Sequence, residues 1–364
     1  MTSAPLSAVD TFTPALERVK YLLFKPFRFS KWWRYAILGL FTGEMSSSGF
    51  NFNFPTNFGS SSQEKAAESF AGRAPFHWPA MPHLFAWIAL AAVVLVILIF
   101  IFMYVSCVLR FVLFDAVLTG NEVRLREGWR RWKQRGTAFF PWKIGYSLAT
   151  LAIYAVLFGL PIFALWRAGI FRNPGQHLAV LILGGLAFVV IAVVVALAAL
   201  AVYVLAKDFV VPIMAFEGVG PIDGWRRLML MMSPNKGSYA GYLGFKAVLA
   251  IAAAIALGII SVIFFVVVLI PVVLVAVFMG ILSSAGGTGL SAATLTLIVV
   301  GGVLVGLVFL AFTSLLHVPV VVFFQSYALA FFGSRYEPLR AMMYPQPPPE
   351  APPMSMGPSS QPAM

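Results

Sequence analysis

The sequence predicts an all-α integral membrane protein of about six transmembrane helices. These form three parallel hairpin repeats, each preceded by an amphipathic helix at the cytoplasmic interface. Three observations predict it. Hydrophobic residues make up 60% of the 364 positions and charged residues only 10%, with a mean hydropathy of +0.90, whereas soluble domains carry about 25% charge. Several apolar runs reach the ~18–20 residues needed to cross a hydrocarbon core. Three related segments, Glu17-Arg18-Val19-Lys20, Glu127-Gly128-Trp129-Arg130-Arg131 and Asp223-Gly224-Trp225-Arg226-Arg227, stand at the feet of apolar hairpins. Trp129 and Trp225 lie 96 residues apart.

Residues 1–13 are small and polar and are expected to be loose. A single membrane domain follows over 14–340, with repeats at about 14–120, 121–218 and 219–333. Thr13-Pro14 reads as an N-cap followed by Pro in the first turn. Leu16, Val19 and Leu23 then mark the apolar stripe of a short interfacial helix. Residues 30–48 are the first span if they borrow polar flanks. Their apolar part, Trp32–Thr42, is only about half the ~20 residues of a full crossing, so a re-entrant segment is the alternative. Residues 43–83 form an outer loop. Spans follow at Leu84–Leu109, Ile144–Leu165, Leu178–Leu205, within Ala247–Leu282, and at Ala292–Leu316. Pro161 and Pro271 fall late in the first helix of their hairpins and, with Pro212 and Pro319, are expected to kink helices. Residues 341–364 form a Pro-rich tail with too little apolar content to fold.

The hairpin exits also correspond. Arg110, Lys207 and His317 each end an apolar run, followed by Phe111-Val112-Leu113-Phe114, Phe209-Val210-Val211-Pro212 and Val318-Pro319-Val320-Val321. Lys and Arg crowd onto one side of the spans, in the segments up to Arg34, Arg124–Lys143 and Lys207–Lys246. The opposing loops hold only Lys65, Arg73, Arg167 and Arg172. Positive-inside bias therefore puts both termini in the cytoplasm of a prokaryotic cell, with the chain in its cytoplasmic membrane. The formal charge of +12 is explained by this topology and by anionic headgroups, so nucleic acid is not an expected partner.

No catalytic constellation is visible. His77, His83, His177 and His317 lack metal-ligand spacing, and Cys107 stands alone within an apolar run. There is no phosphate loop or nucleophile elbow, nor a pair of intramembrane carboxylates. The chain reads as a non-enzyme needing no cofactor. Arg110, Asp115, Lys207, Asp208 and Glu217 sit near the cytoplasmic boundary. They either snorkel and pair locally, as Lys207 with Asp208, or line a polar vestibule between hairpins. Trp129, Arg130, Arg131, Trp225, Arg226 and Arg227 are the candidate lipid-headgroup contacts. In the second unit Leu125, Trp129 and Trp132 share a stripe. In the third, Ile222, Trp225, Met229 and Met232 do so.

The string Val211-Pro212-Ile213-Met214-Ala215-Phe216-Glu217-Gly218, followed by Pro221-Ile222-Asp223-Gly224-Trp225-Arg226-Arg227, resembles the membrane domain attached to bacterial glycerophosphoryl diester phosphodiesterases. Related uncharacterised prokaryotic six-span membrane proteins share the pattern. Pro212, Glu217 and Gly218 match it, while Gly224 and Arg227 replace the expected small residue and Ser. The resemblance implies the membrane fold. In that family the chemistry belongs to a separate soluble barrel, and only the Pro-rich tail follows the last span here, so catalysis is not expected to carry over. The expected role is a lipid-interacting scaffold or accessory component, with an unidentified membrane protein as a possible partner. The alternative is a transporter or lipid translocator with a path between hairpins.

Overall fold

The computed structural model describes residues 5–25, 27–44, 82–120, 124–170, 177–285 and 292–343. The outer loop beyond Glu44, the turn after Ala285 and the tail beyond Met343 lie outside the described residues. All elements among the described residues are helical: α1 (Phe12–Phe24), α2 (Phe29–Thr42), α3 (Pro82–Thr119), α4 (Leu125–Arg167) and α5 (Leu178–Leu205). A π-helical turn (Ala206–Val210) and α6 (Val211–Glu217) follow, then α7 (Pro221–Met232) and a 3₁₀ turn (Ser233–Asn235). The order ends with α8 (Lys236–Ala285), α9 (Ala292–Gly333) and α10 (Glu337–Met343).

Five stretches of the described residues, not six, are helical, long and apolar enough to cross a membrane. They are Ala86–Thr119, Leu125–Arg167, Leu181–Glu217, Pro221–Val275 and Val300–Gly333. The expected first span, residues 30–48, lies partly outside the described residues, and its described part falls short for a physical reason. With 14 residues, α2 is about 21 Å long at ~1.5 Å per residue, short of the ~30 Å hydrocarbon core. Gly43 ends it in the left-handed region (φ 74°), its N–H bonded to the Leu40 carbonyl, a conformation that costs glycine nothing. Tyr35, Ala36 and Leu38 are buried, and α2 packs on α3 and α9. Its apolar content thus serves protein packing.

The N-terminal segment is held more firmly than its composition suggests. α1 starts at Phe12 rather than at Pro14. The Ser7 hydroxyl donates to Asp10 at 2.6 Å, and the Tyr327 hydroxyl donates to the Ala8 carbonyl at 2.9 Å. Ala15, Val19, Leu22 and Leu23 form the buried stripe of α1, while Leu16, expected on that stripe, is exposed. Arg18 donates to the carbonyls of Val117 and Leu118 at 2.9 and 2.5 Å, which satisfies free acceptors at the C-terminal end of α3.

The buried side of α7 is rotated from the expected one. Gly224 and Leu228 are buried and Met231 and Met232 pack on the core, giving an i, i+4, i+7, i+8 stripe. Ile222 and Met229 are exposed instead. Proline does not interrupt the long helices: α4 runs through Pro161, α8 through Pro271 and α9 through Pro319. Pro212 stands in the first turn of α6, where its missing N–H costs little.

Packing is concentrated at one end of the bundle. There Phe111, Phe209, Phe331, Tyr239, Tyr242 and Tyr327 are fully buried, with Tyr242 and Phe331 ring centres 4.6 Å apart. Toward the other end the helices turn apolar side chains outward. Leu95, Ile99, Leu151, Leu183 and Val262 are each more than half exposed. Keeping such side chains from water is worth about 1.5–3 kcal/mol apiece, so over these helices only a lipid surround balances the account.

Candidate functional site

Where α2, α3, α5 and α8 converge, the packed end encloses charges. The Arg110 guanidinium meets Glu44 at 2.9 Å, and its other terminal nitrogen donates to the Thr42 carbonyl at 2.7 Å and the Tyr203 hydroxyl at 2.9 Å. Lys207 reaches the second Glu44 oxygen at 2.5 Å. Asp208 accepts from Lys246 at 2.5 Å and from the Tyr242 hydroxyl at 2.8 Å. Side chains of all five charged residues are at most 10% exposed.

The π-helical turn makes this arrangement. Its i→i+5 geometry keeps both Lys207 and Asp208 buried, along with Ala206, Phe209 and Val210. The two adjacent residues then serve different partners: Lys207 faces the end of α2 and Asp208 faces α8. The expected Lys207–Asp208 pairing is therefore replaced by two longer-range pairs. Isolated buried charges would cost several kcal/mol each; the mutual pairs and hydrogen bonds offset much of that. Among the described residues the cluster holds three cations, Arg110, Lys207 and Lys246, against two carboxylates, Glu44 and Asp208.

Of the five expected vestibule residues, Arg110, Lys207 and Asp208 come together here. Asp115 and Glu217 do not. Asp115 pairs with Arg131 at 3.4 Å, and Glu217 pairs with Arg227 at 2.6 Å while accepting from the Tyr336 hydroxyl at 2.8 Å. Burial, and then this bond to Glu217, push the Tyr336 hydroxyl above the ordinary phenol range, so it stays a donor at neutral pH. Glu44 and Lys246 join the site without a motif in the sequence that marks them. Glu44 falls in the expected outer loop of residues 43–83, yet it is buried beside Arg110. The available signal was charge balance: Arg110 and Lys207 end apolar runs and require a nearby carboxylate.

The headgroup candidates occupy the feet of α4 and α7. Arg130, Arg131, Arg226 and Arg227 are exposed. Arg226 pairs with Asp223 at 3.4 Å, and Arg130 makes no ion pair among the described residues. Trp129 and Trp225 are half-buried and turned onto their own chain: Trp129 meets Tyr104 edge-on and Trp225 lies against Trp142, with centroids 6.0 and 6.1 Å apart. Arg135 donates to the Gly218 carbonyl, linking α4 to the end of α6. No group of three or more His, Cys, Asp or Glu among the described residues is placed to hold a metal.

Long apolar helices gathered on a charged and aromatic core define a helical integral membrane protein. More particularly, a family model described as a family of unknown function (DUF7544) matches residues 6–342, and the chain belongs to that family. No curated protein and no solved structure matches it.

Proposed function

We propose that this is a non-enzymatic, lipid-interacting scaffold or accessory protein of the prokaryotic cytoplasmic membrane. Both termini and the feet of α4 and α7 face the cytoplasm. The observation that carries this reading is the pair of Gly-Trp-Arg-Arg feet. Each presents exposed arginines where an apolar helix begins, and each basic residue near an anionic surface contributes about 1 kcal/mol.

The reading includes a tripled architecture, supported by contacts that correspond between units. A methyl group placed on Gly128 would lie 2.9 Å from Val112, and one on Gly224 would lie 2.9 Å from Val210. Val112 and Val210 hold the same place in the related exit strings. In both feet the second arginine pairs with the acidic residue of the preceding exit, Arg131 with Asp115 and Arg227 with Glu217. α1 packs likewise on the exit of α9, with Phe12 and Phe323 edge-on at 5.6 Å, which makes the pattern cyclic. The resemblance to phosphodiesterase-linked membrane domains fits an accessory role beside a separate enzyme.

The test is lipid analysis of protein purified from membranes. An anionic lipid is expected to co-purify and to be depleted in the Arg130→Ala/Arg226→Ala double variant. Solute or lipid flux in proteoliposomes that depends on Asp115 or Glu217 would replace the scaffold with a translocator.

A further inference from the structure

Between α5 and α8, lined also by Phe324 of α9, runs a cleft of about 290 Å³. Leu197, Leu200, Ala247 and Ala250 form its walls, and Lys207 and Lys246 line it at the cluster end. Leu197 and Leu200 are more than half exposed, so the cleft opens sideways among apolar side chains. The two lysines are buried, and their carboxylate partners, Glu44 and Asp208, do not line the cleft.

An ammonium has three N–H donors. Among the described residues Lys207 spends one, on Glu44. Lys246 donates one to Asp208 and a second, long at 3.4 Å, to the Tyr242 hydroxyl, which leaves one. The cluster also carries one more cation than carboxylate among those residues. An uncompensated buried charge is costly, and a ligand anion that takes the spare donors lowers that cost. The volume lies near the lower end of the ~300–1,000 Å³ typical of ligand sites. It suits a headgroup phosphate with the first part of one acyl chain.

We propose that this cleft binds one acidic phospholipid from the surrounding leaflet. Its phosphate lies on Lys207 and Lys246, and one chain runs along Leu197, Leu200, Ala247 and Ala250. The site rests on the lipid-interacting reading but is distinct from the arginine-bearing feet.

The test is native mass spectrometry of the full chain in nonionic detergent, titrated with phosphatidylglycerol, phosphatidylcholine of the same chains, and oleate. One phosphatidylglycerol per chain is expected to bind at least about fivefold more tightly than phosphatidylcholine. Equal binding of the two, or selective binding of oleate alone, would overturn the proposal. Lys246→Gln should weaken the tight site, but it also leaves Asp208 without its ion pair. Gly244→Leu keeps every charge and fills the cleft from a position with no atom within 4 Å of an added Cβ. It should abolish the tight site while leaving thermal stability unchanged, and wild-type binding by this variant would sink the idea. The Arg130→Ala/Arg226→Ala variant should retain the tight lipid even if bulk lipid enrichment falls. Loss of the tight lipid there would move the site to the feet.

Discussion

The two ends of the helical bundle are held by different solvents. At the packed end, α1, α2 and α6 fill the spaces between long helices with aromatic rings and paired charges. At the other end, α3, α4, α5 and α8 expose Ile, Leu and Val, and their helix–helix contacts thin out. It sets where sequence changes will register. Substitutions at the packed end alter protein–protein contacts, whereas those at the apolar end exchange one lipid-facing side chain for another.

That contrast can be broken hardest at the charge cluster. Glu44→Ala leaves Arg110 and Lys207 buried without their shared carboxylate, and should cost about 3–5 kcal/mol, read as thermal unfolding in detergent. A loss below about 1 kcal/mol would mean that water reaches the cluster. Phe209→Ala should cost a comparable ~3–5 kcal/mol, because its ring packs at a tilt against Tyr242, Phe331 and Phe332, with centroids 5.1–5.9 Å apart.

Glycines in α4 give the next comparison. A Cβ on Gly136 would come within 2.7 Å of the Val108 backbone, whereas Gly159 has nothing within 4 Å. Gly136→Ala should destabilise by about 1–3 kcal/mol, while Gly159→Ala should be neutral or slightly stabilising through helix propensity. Equal effects from the two, measured as melting temperatures in one detergent, would contradict close approach of α3 and α4.

Smaller effects belong to the exposed pairs. Arg227→Ala and Arg131→Ala should each cost at most about 1 kcal/mol and less at high salt. The larger loss should be at Arg227, whose carboxylate is also fixed by Tyr336. At the apolar end, Leu151→Ala is expected to change stability by no more than about 0.5 kcal/mol. A loss of several kcal/mol there would reveal a protein partner on that face.

Much of this contrast was visible in the residues themselves. Runs such as Leu84–Leu109 and Leu178–Leu205 carry so little charge that helices in lipid are their only stable form. Other features depended on distance in space. The 11-residue stretch Trp32–Thr42 reads as an undersized span because sequence hydropathy cannot separate burial in lipid from burial in protein. Glu44 read as an outer-loop residue because its partners lie 66 and 163 positions away. On α7 the choice between two apolar stripes depended on Gly224. Its missing side chain lets the helix approach Val210 and turns Leu228 inward. The feet were recognisable through Gly-Trp-Arg-Arg, but the pairing of their second arginines was not.

The seat of α1 has a consequence for synthesis. The hydrogen bond from Tyr327 to Ala8 joins residues 319 positions apart. At about 5–20 residues per second, the ribosome needs roughly 15–65 s to make that stretch. Throughout that interval the first helix is finished and its last partner does not exist. Ala15, Val19 and Leu23 lack part of their partner surface until then, and only α9 completes their cover. The bundle thus closes where α1 meets α9, and a nascent chain stopped before α9 leaves α1 exposed as a mark of incompletion.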